Sequence, residues 1–152
     1  MFQVKLEAYT LIEVKMADSL ITYILHHDDA DGFGAAAAAF KRLGQGSHVR
    51  YIAVDYGRAM PDMEDGSTVY ILDYSYPRAV LEELNARMKS VTVIDHHKSA
   101  MLDLEGLPYA IFVMNKSGAG LAWDYFNPDE PRPAFINYIE DSDLYKFALP
   151  DA

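Results

Sequence analysis

Three apolar runs in this chain end in the same way, on acids and histidines, and that repetition limits what the chain can fold into. Leu20–Leu25 leads into His26-His27-Asp28-Asp29-Ala30-Asp31-Gly32, Val69-Tyr70-Ile71-Leu72 leads into Asp73, and Val91-Thr92-Val93-Ile94 leads into Asp95-His96-His97. Several such runs are nearly continuous and rich in β-branched or aromatic residues, which suits strands covered on both faces. Helical stretches separate them, the alternation of an α/β protein with a parallel sheet. A parallel sheet brings the C-terminal ends of its strands to one edge, so the three polar ends converge there.

The spacing predicts strands at about 20–26, 49–54, 68–73, 91–95 and 110–114. Helices are expected at 32–43, where Ala35 to Ala39 are strong helix formers before Gly44, and at 77–89, where Val80, Leu81, Leu84 and Met88 fall at helical spacing. A third runs through Leu121, Trp123 and Phe126 after the loop Asn115–Gly120, and a last covers 134–140. Residues 55–67 form a polar connection. Residues 1–16 read as an extension or an edge strand, from the alternation of Phe2, Val4 and Leu6, and 17–152 as one domain, a size that can bury a substantial core.

The chain has no cysteine, which excludes disulfides, thiolate metal sites and thiol nucleophiles and fits a cytoplasmic protein. Its formal charge is −10, from 23 acidic against 13 basic residues, so it lacks the basic footprint of a duplex-binding module. Bound divalent cations would reverse that field locally. No stretch reaches the length of a membrane span, and Glu7 and Glu13 interrupt any apolar core of a signal peptide.

Histidine and carboxylate together suit zinc, manganese or iron, while carboxylates alone lean toward magnesium or calcium. In an extended segment His27, Asp29 and Asp31 share one side and His26 and Asp28 the other, which makes the first three the candidate ligands. One such Asp alone would be read as a helix cap; three donors in five positions are harder to dismiss. Asp73 alone would be read as a loop carboxylate, but its place between two acid- and histidine-tipped strands makes it a candidate to bridge two metals. His96 and His97 point in different directions, one toward metal and one toward substrate or a supporting carboxylate. The stretch Asn115-Lys116-Ser117-Gly118-Ala119-Gly120 opens a helix whose amides could hold a phosphate. Glu140-Asp141-Ser142-Asp143 is a third acidic cluster. Trp123 and the eleven tyrosines could stack bases, but nothing in the sequence assigns any of them to a site.

These motifs resemble the DHH phosphoesterase family, named for the triplet that stands here as Asp95-His96-His97. The family's His-x-Asp-x-Asp-Gly motif matches His27–Gly32, its strand-end Asp matches Asp73, and its fourth motif resembles Asp141, with Asp143 close enough to compete. The resemblance covers residues 20–147. It implies a Rossmann-like three-layer α/β/α domain with a mainly parallel five-stranded sheet and two divalent cations, manganese first and magnesium second. By resemblance His27 and Asp29 bind one metal, Asp31, His96 and Asp141 the other, and Asp73 bridges them. His97 meets the scissile phosphate, Ser117, Gly118 and Gly120 contact phosphate, and Asp95 supports a histidine or serves, with Asp143, as an alternate ligand.

The implied activity is a two-metal phosphodiesterase, a nuclease of short oligonucleotides or a hydrolase of small phosphorylated nucleotides. Activity on phosphomonoesters or pyrophosphate is the alternative within the same chemistry. Family enzymes commonly carry a C-terminal substrate-binding domain, and no such segment follows Asp143 here. The sequence therefore also admits a non-catalytic metal- or nucleotide-binding subunit, or a homo-oligomer or partner that completes the cleft.

Overall fold

A computed structural model describes residues 21–150. The extension or edge strand expected at 1–16 lies outside the described residues. In chain order the elements are β1 (Thr22–His27), α1 (Ala30–Leu43), β2 (Val49–Val54), β3 (Thr68–Leu72), α2 (Arg78–Arg87), β4 (Ser90–Asp95), α3 (Lys98–Asp103), β5 (Ala110–Phe112), α4 (Gly118–Phe126) and α5 (Ala134–Asp143). All five strands pair in parallel in the order β2-β1-β3-β4-β5.

Strand alternation divides the core into two layers. Tyr23, Leu25, Val69, Ile71, Val91 and Val93 pack on Leu81 and Leu84 of α2 and on Leu104 beyond α3. Ile24, Leu72 and Ile94 face the other way, onto Ala35, Ala38 and Ala39 of α1, Ala119, Ala122 and Trp123 of α4, and Ile136 of α5. The alanine run thus serves close helix packing. Both faces of the sheet are covered, as a parallel sheet requires.

The strand order reverses at β1: the chain leaves β1 for β2 on one side, then returns through residues 55–67 to β3 on the other. Loops at the C-terminal ends of β1 and β3 therefore part from one another and leave a crevice, the usual ligand position in open α/β sheets. Register places Leu72 opposite both His26 and Ile94, so His27, Asp73 and Asp95 follow at one level of the sheet edge.

Three differences from expectation have local causes. Helix α1 begins at Ala30 rather than 32 because the Asp29 side chain caps it, accepting from Gly32 N at 2.8 Å. Helix α5 runs on to Asp143, which takes most of the acidic cluster into its last turn. Helix α3 was not expected: its six residues bury no side chain and so carry no apolar period. Among the described residues no helix is long and apolar enough to cross a membrane.

Candidate metal centre

Asp73 occupies the middle of the crevice. Its side chain is 1% exposed, and its backbone lies in the left-handed region at φ 56°, a conformation that Asp tolerates better than most residues. Its Oδ1 is 3.1 Å from His96 Nε2 and its Oδ2 is 3.8 Å from His27 Nδ1. Burial drives its pKa up, His96 opposes this, and Asp31 and Asp29 add repulsion, leaving it at about 8.

Two donor groups meet around this carboxylate. On one side, His27 Nδ1 is 2.7 Å from Asp29 Oδ2, and its Nε2 is 3.5 Å from Asp55 Oδ1. On the other, His96 Nε2 is 3.4 Å from Asp31 Oδ2 and 3.7 Å from Asp143 Oδ2. Burial works against protonation of His96, but Asp31, Asp73 and Asp143 outweigh it and raise its pKa to about 10. Within His27–Asp29–Asp73, and within Asp31–His96–Asp143, the donor atoms lie within 4.8 Å of one another.

The chemistry of these contacts is that of a cation site. His27 Nδ1, Asp73 Oδ1 and Asp143 Oδ2 are buried and have no hydrogen-bond partner, although charged neighbours stand close to each. His27 Nδ1 stands 2.7 Å from Asp29 Oδ2, Asp73 Oδ1 3.1 Å from His96 Nε2, and Asp143 Oδ2 3.7 Å from the same nitrogen. Unpaired polar atoms in a protein interior are costly, and divalent cations held by these two groups would satisfy all three. Imidazole with carboxylate oxygen is a donor set for manganese, zinc or iron.

Asp95 plays a different part. It is fully buried, its Oδ1 accepts from His96 N (2.7 Å) and His97 N (3.2 Å), and its Oδ2 accepts from Ser75 Oγ (2.6 Å). His97 Nδ1 stands 2.6 Å from the same Oδ1. Burial raises the Asp95 pKa, but the bonds from His97 and Ser75 outweigh it and bring it below the usual range. An ionised carboxylate only accepts, so Nδ1 carries the hydrogen and Nε2 is turned outward. The bond to Asp95 raises the His97 pKa, against a smaller effect of burial.

His26 points away from this centre. It is buried edge-on to Phe33 at 4.8 Å, and desolvation lowers its pKa. The exposed Asp28 pairs with Arg58 Nη1 at 3.0 Å. His27, Asp29 and Asp31 stand on the side of Asp73 and His96, although the segment is extended only to Asp29 and helical from Ala30.

Two expectations are corrected. Asp141 does not reach the centre: its Oδ1 accepts from Ala148 N (3.0 Å) and its Oδ2 from Leu149 N (3.1 Å), so it is committed to the chain beyond α5. Two residues further on, Asp143 comes round the helix to face His96 and Asp31. The phosphate loop is also taken. Gly118 N and Ala119 N donate to Asp31 Oδ2 and Oδ1 at 2.6 and 2.8 Å, and Gly120 N donates to Ser117 Oγ at 3.2 Å. Ser117, Gly118 and Gly120 are buried, and the positive end of α4 holds Asp31 where a phosphate was expected. These bonds and His96 hold the Asp31 pKa below its usual value despite burial.

Asp55 and Ser75 were missed. Asp55 directly follows β2, the same strand-end position that singled out Asp73, so the signal was present. Ser75 carries no such signal, because only the fold brings it to Asp95.

Separating the roles of the two acids of α5 gives a first prediction. Asp143→Asn should weaken Mn²⁺ binding by ~10–100-fold in a calorimetric titration and leave thermal stability nearly unchanged. Asp141→Asn should do the reverse, lowering the melting temperature with a smaller effect on metal affinity. Equal Mn²⁺ affinities for wild type and Asp143→Asn would remove Asp143 from the centre.

A protein of Acanthamoeba polyphaga mimivirus, itself uncharacterised, is 30% identical over 148 residues, covering 88% of this chain and 35% of the relative. The chain thus spans about a third of that relative's length. A crystal structure of an uncharacterised protein from Helicobacter pylori superimposes with a TM-score of 0.66 at 14% identity, over 84% of this chain and 45% of that one, and shares the fold. The sequence pattern described as the DHH family, N-terminal domain, matches residues 21–143, from the start of β1 to the last ligand candidate of α5, and the chain belongs to that family.

Proposed function

We propose that this domain is a divalent-metal-dependent phosphoesterase, with manganese the preferred ion, acting on phosphodiester bonds of short oligonucleotides or small nucleotides. The observation that carries this reading is the pair of donor groups His27–Asp29–Asp73 and Asp31–His96–Asp143, which meet where Asp73 Oδ1 stands 3.1 Å from His96 Nε2, with three buried polar atoms unsatisfied by the protein. His27, Asp29 and Asp73 would hold one ion, and Asp31, His96 and Asp143 the other, with Asp73 shared. Divalent ions so held supply an acidified water and neutralise charge on the phosphate.

The protein's own groups do the rest. Asp31 is locked by two amides of α4, so its position does not depend on the ion. Asp95 and Ser75 hold His97 with its Nε2 outward, and the bond to Asp95 raises its pKa and favours the protonated imidazole. A charged Nε2–H can donate to a non-bridging phosphate oxygen as negative charge builds there. Repulsion among Asp29, Asp31, Asp73 and Asp143 would be offset by the divalent cations they hold.

The test is release of product from a panel of dinucleotides, cyclic dinucleotides, bisphosphorylated adenosine and pyrophosphate by the purified protein with Mn²⁺. Turnover of the diesters with little on pyrophosphate is the expected result. Tight Mn²⁺ binding with no turnover of any of them would make the domain a binding module instead.

Metal binding should also be proton-linked. Below about pH 8 Asp73 holds a proton, and below about pH 10 His96 does, so an ion must displace both. Mn²⁺ affinity is expected to rise by about tenfold or more per pH unit between pH 6 and 8. Titrations at three pH values in two buffers of different ionisation enthalpy would count the protons released, and a pH-independent affinity would contradict the ligand set.

A further inference from the structure

Beyond α5 the chain makes a turn that the metal centre does not explain. Tyr145 and Phe147 both have left-handed backbone, at φ 54° and 45°, which is unusual for one bulky aromatic residue and more so for two. Both side chains point into solvent, 82% and 57% exposed, with their rings edge-to-face at 6.0 Å. Burial therefore does not compensate the strain.

The turn is held in place by Asp141. Its carboxylate takes Ala148 N and Leu149 N, and its carbonyl takes Lys146 N at 2.9 Å. A side chain 5% exposed, both oxygens used, fixes two exposed aromatic residues in a conformation they disfavour. Strain maintained by such over-determination is characteristic of ligand clamps.

The two rings line a cavity of about 540 Å³ that Asp29, Asp31 and Asp143 also line. That volume lies in the range of small-molecule sites. The aromatic wall and the metal ligands thus face a single space, in which a phosphoester at the centre would extend its organic part over Tyr145 and Phe147. Each flat ring offers a π-face, which suits a nucleobase and has no use for pyrophosphate or polyphosphate.

We propose that Tyr145 and Phe147, positioned by Asp141, are the base-stacking subsite of the centre, which makes the substrate a phosphoester that carries a nucleobase. This deepens the phosphoesterase reading and rests on it. Asp141 is a positioning residue, acting through the turn.

Binding can be followed apart from turnover, with 2-aminopurine 5′-monophosphate and the Mn²⁺-loaded protein. Stacking quenches the fluorescence of this base, and wild type is expected to quench it. Tyr145→Ala and Phe147→Ala should weaken the binding by roughly 10- to 100-fold, and Tyr145→Trp should restore it in place of Ala. In turnover, wild type should prefer a dinucleotide over the same diester without bases, and the preference should collapse toward one in the Ala variants. Absence of quenching, or equal quenching by wild type and both Ala variants, would overturn the subsite. Quenching that depends on Tyr145 and Phe147 without hydrolysis of any substrate would uphold the subsite and sink the phosphoesterase reading alone.

Discussion

Asp73→Asn is expected to lower Mn²⁺-dependent hydrolysis by ~10³-fold or more, about 4 kcal/mol of transition-state stabilisation, and at the same time to raise the melting temperature of the metal-free protein. The loss follows from position, since Asp73 belongs to the His27–Asp29 donor group and its Oδ1 also stands 3.1 Å from His96 Nε2 of the other group. The gain follows from proton linkage. Burial raises the Asp73 pKa to about 8 in the folded state, whereas an unfolded Asp ionises near pH 4. Stability associated with its protonated form is fully present below about pH 4 and is lost as pH rises toward 8.

His96 acts in the same direction at higher pH. Its folded pKa is raised to about 10, so its contribution is present below about pH 6.5 and declines from there to pH 10. Asparagine in place of Asp73 binds no proton, tolerates left-handed backbone as Asp does, and removes the larger of these losses. The difference in melting temperature between variant and wild type should therefore grow from pH 5 to pH 8 in the presence of chelator. A variant less stable than wild type at pH 8, or one that retains turnover, would contradict the assignment.

Gly32→Ala is expected to destabilise the fold by about 3 kcal/mol or more, a fall of roughly 6–12 °C in melting temperature. Gly32 needs no positive φ; it needs space. A Cβ there would overlap the His27 carbonyl oxygen and stand 2.6 Å from its carbon and 2.7 Å from His27 N, which are backbone atoms of β1 that have no freedom to retreat. Moving α1 away from β1 would also draw Asp29 and Asp31 from His27 and His96. Gly46→Ala is the control, because its nearest neighbour is the exposed side chain of His48, which can turn aside, and its melting temperature should differ little from wild type. A Gly32→Ala protein as stable as the control would show that the helix–strand approach is not tight.

Gly118 imposes the same constraint from the other side. A Cβ on Gly118 would come 2.5 Å from Asp73 Cγ, so α4 can reach the centre only as glycine. The two glycines that look like flexible or phosphate-binding elements in the sequence are spacers that let two helices press on the donor groups around His27 and Asp73.

Much of the fold was legible in order along the chain. Apolar runs of strand length, alanine and leucine at helical spacing, and acids or histidines at three strand ends depend on local period and on the rule that parallel strands end on one edge. From these, the α/β class, the five parallel strands and the grouping of His27, Asp29, Asp31, Asp73, His96 and His97 follow without coordinates. Asp95 in support of a histidine also followed.

What the sequence could not supply depends on distances between residues far apart in it. Asp141 and Asp143 are chemically alike and two positions apart; only the rotation of α5 against α1 and α4 turns one to His96 and the other to the 148–149 amides. A glycine-rich helix start reads as a phosphate cradle until the fold sets Asp31 against it, since either anion satisfies the same dipole. Tyr145 and Phe147 are two aromatics among many until the fold shows them strained, exposed and lining one cavity with Asp29, Asp31 and Asp143. Sequence alone determined which donor residues the sheet edge carries, because residue type and strand period are local. Tertiary structure decided which of two equivalent groups takes each role, because that depends on how helices pack across the sheet.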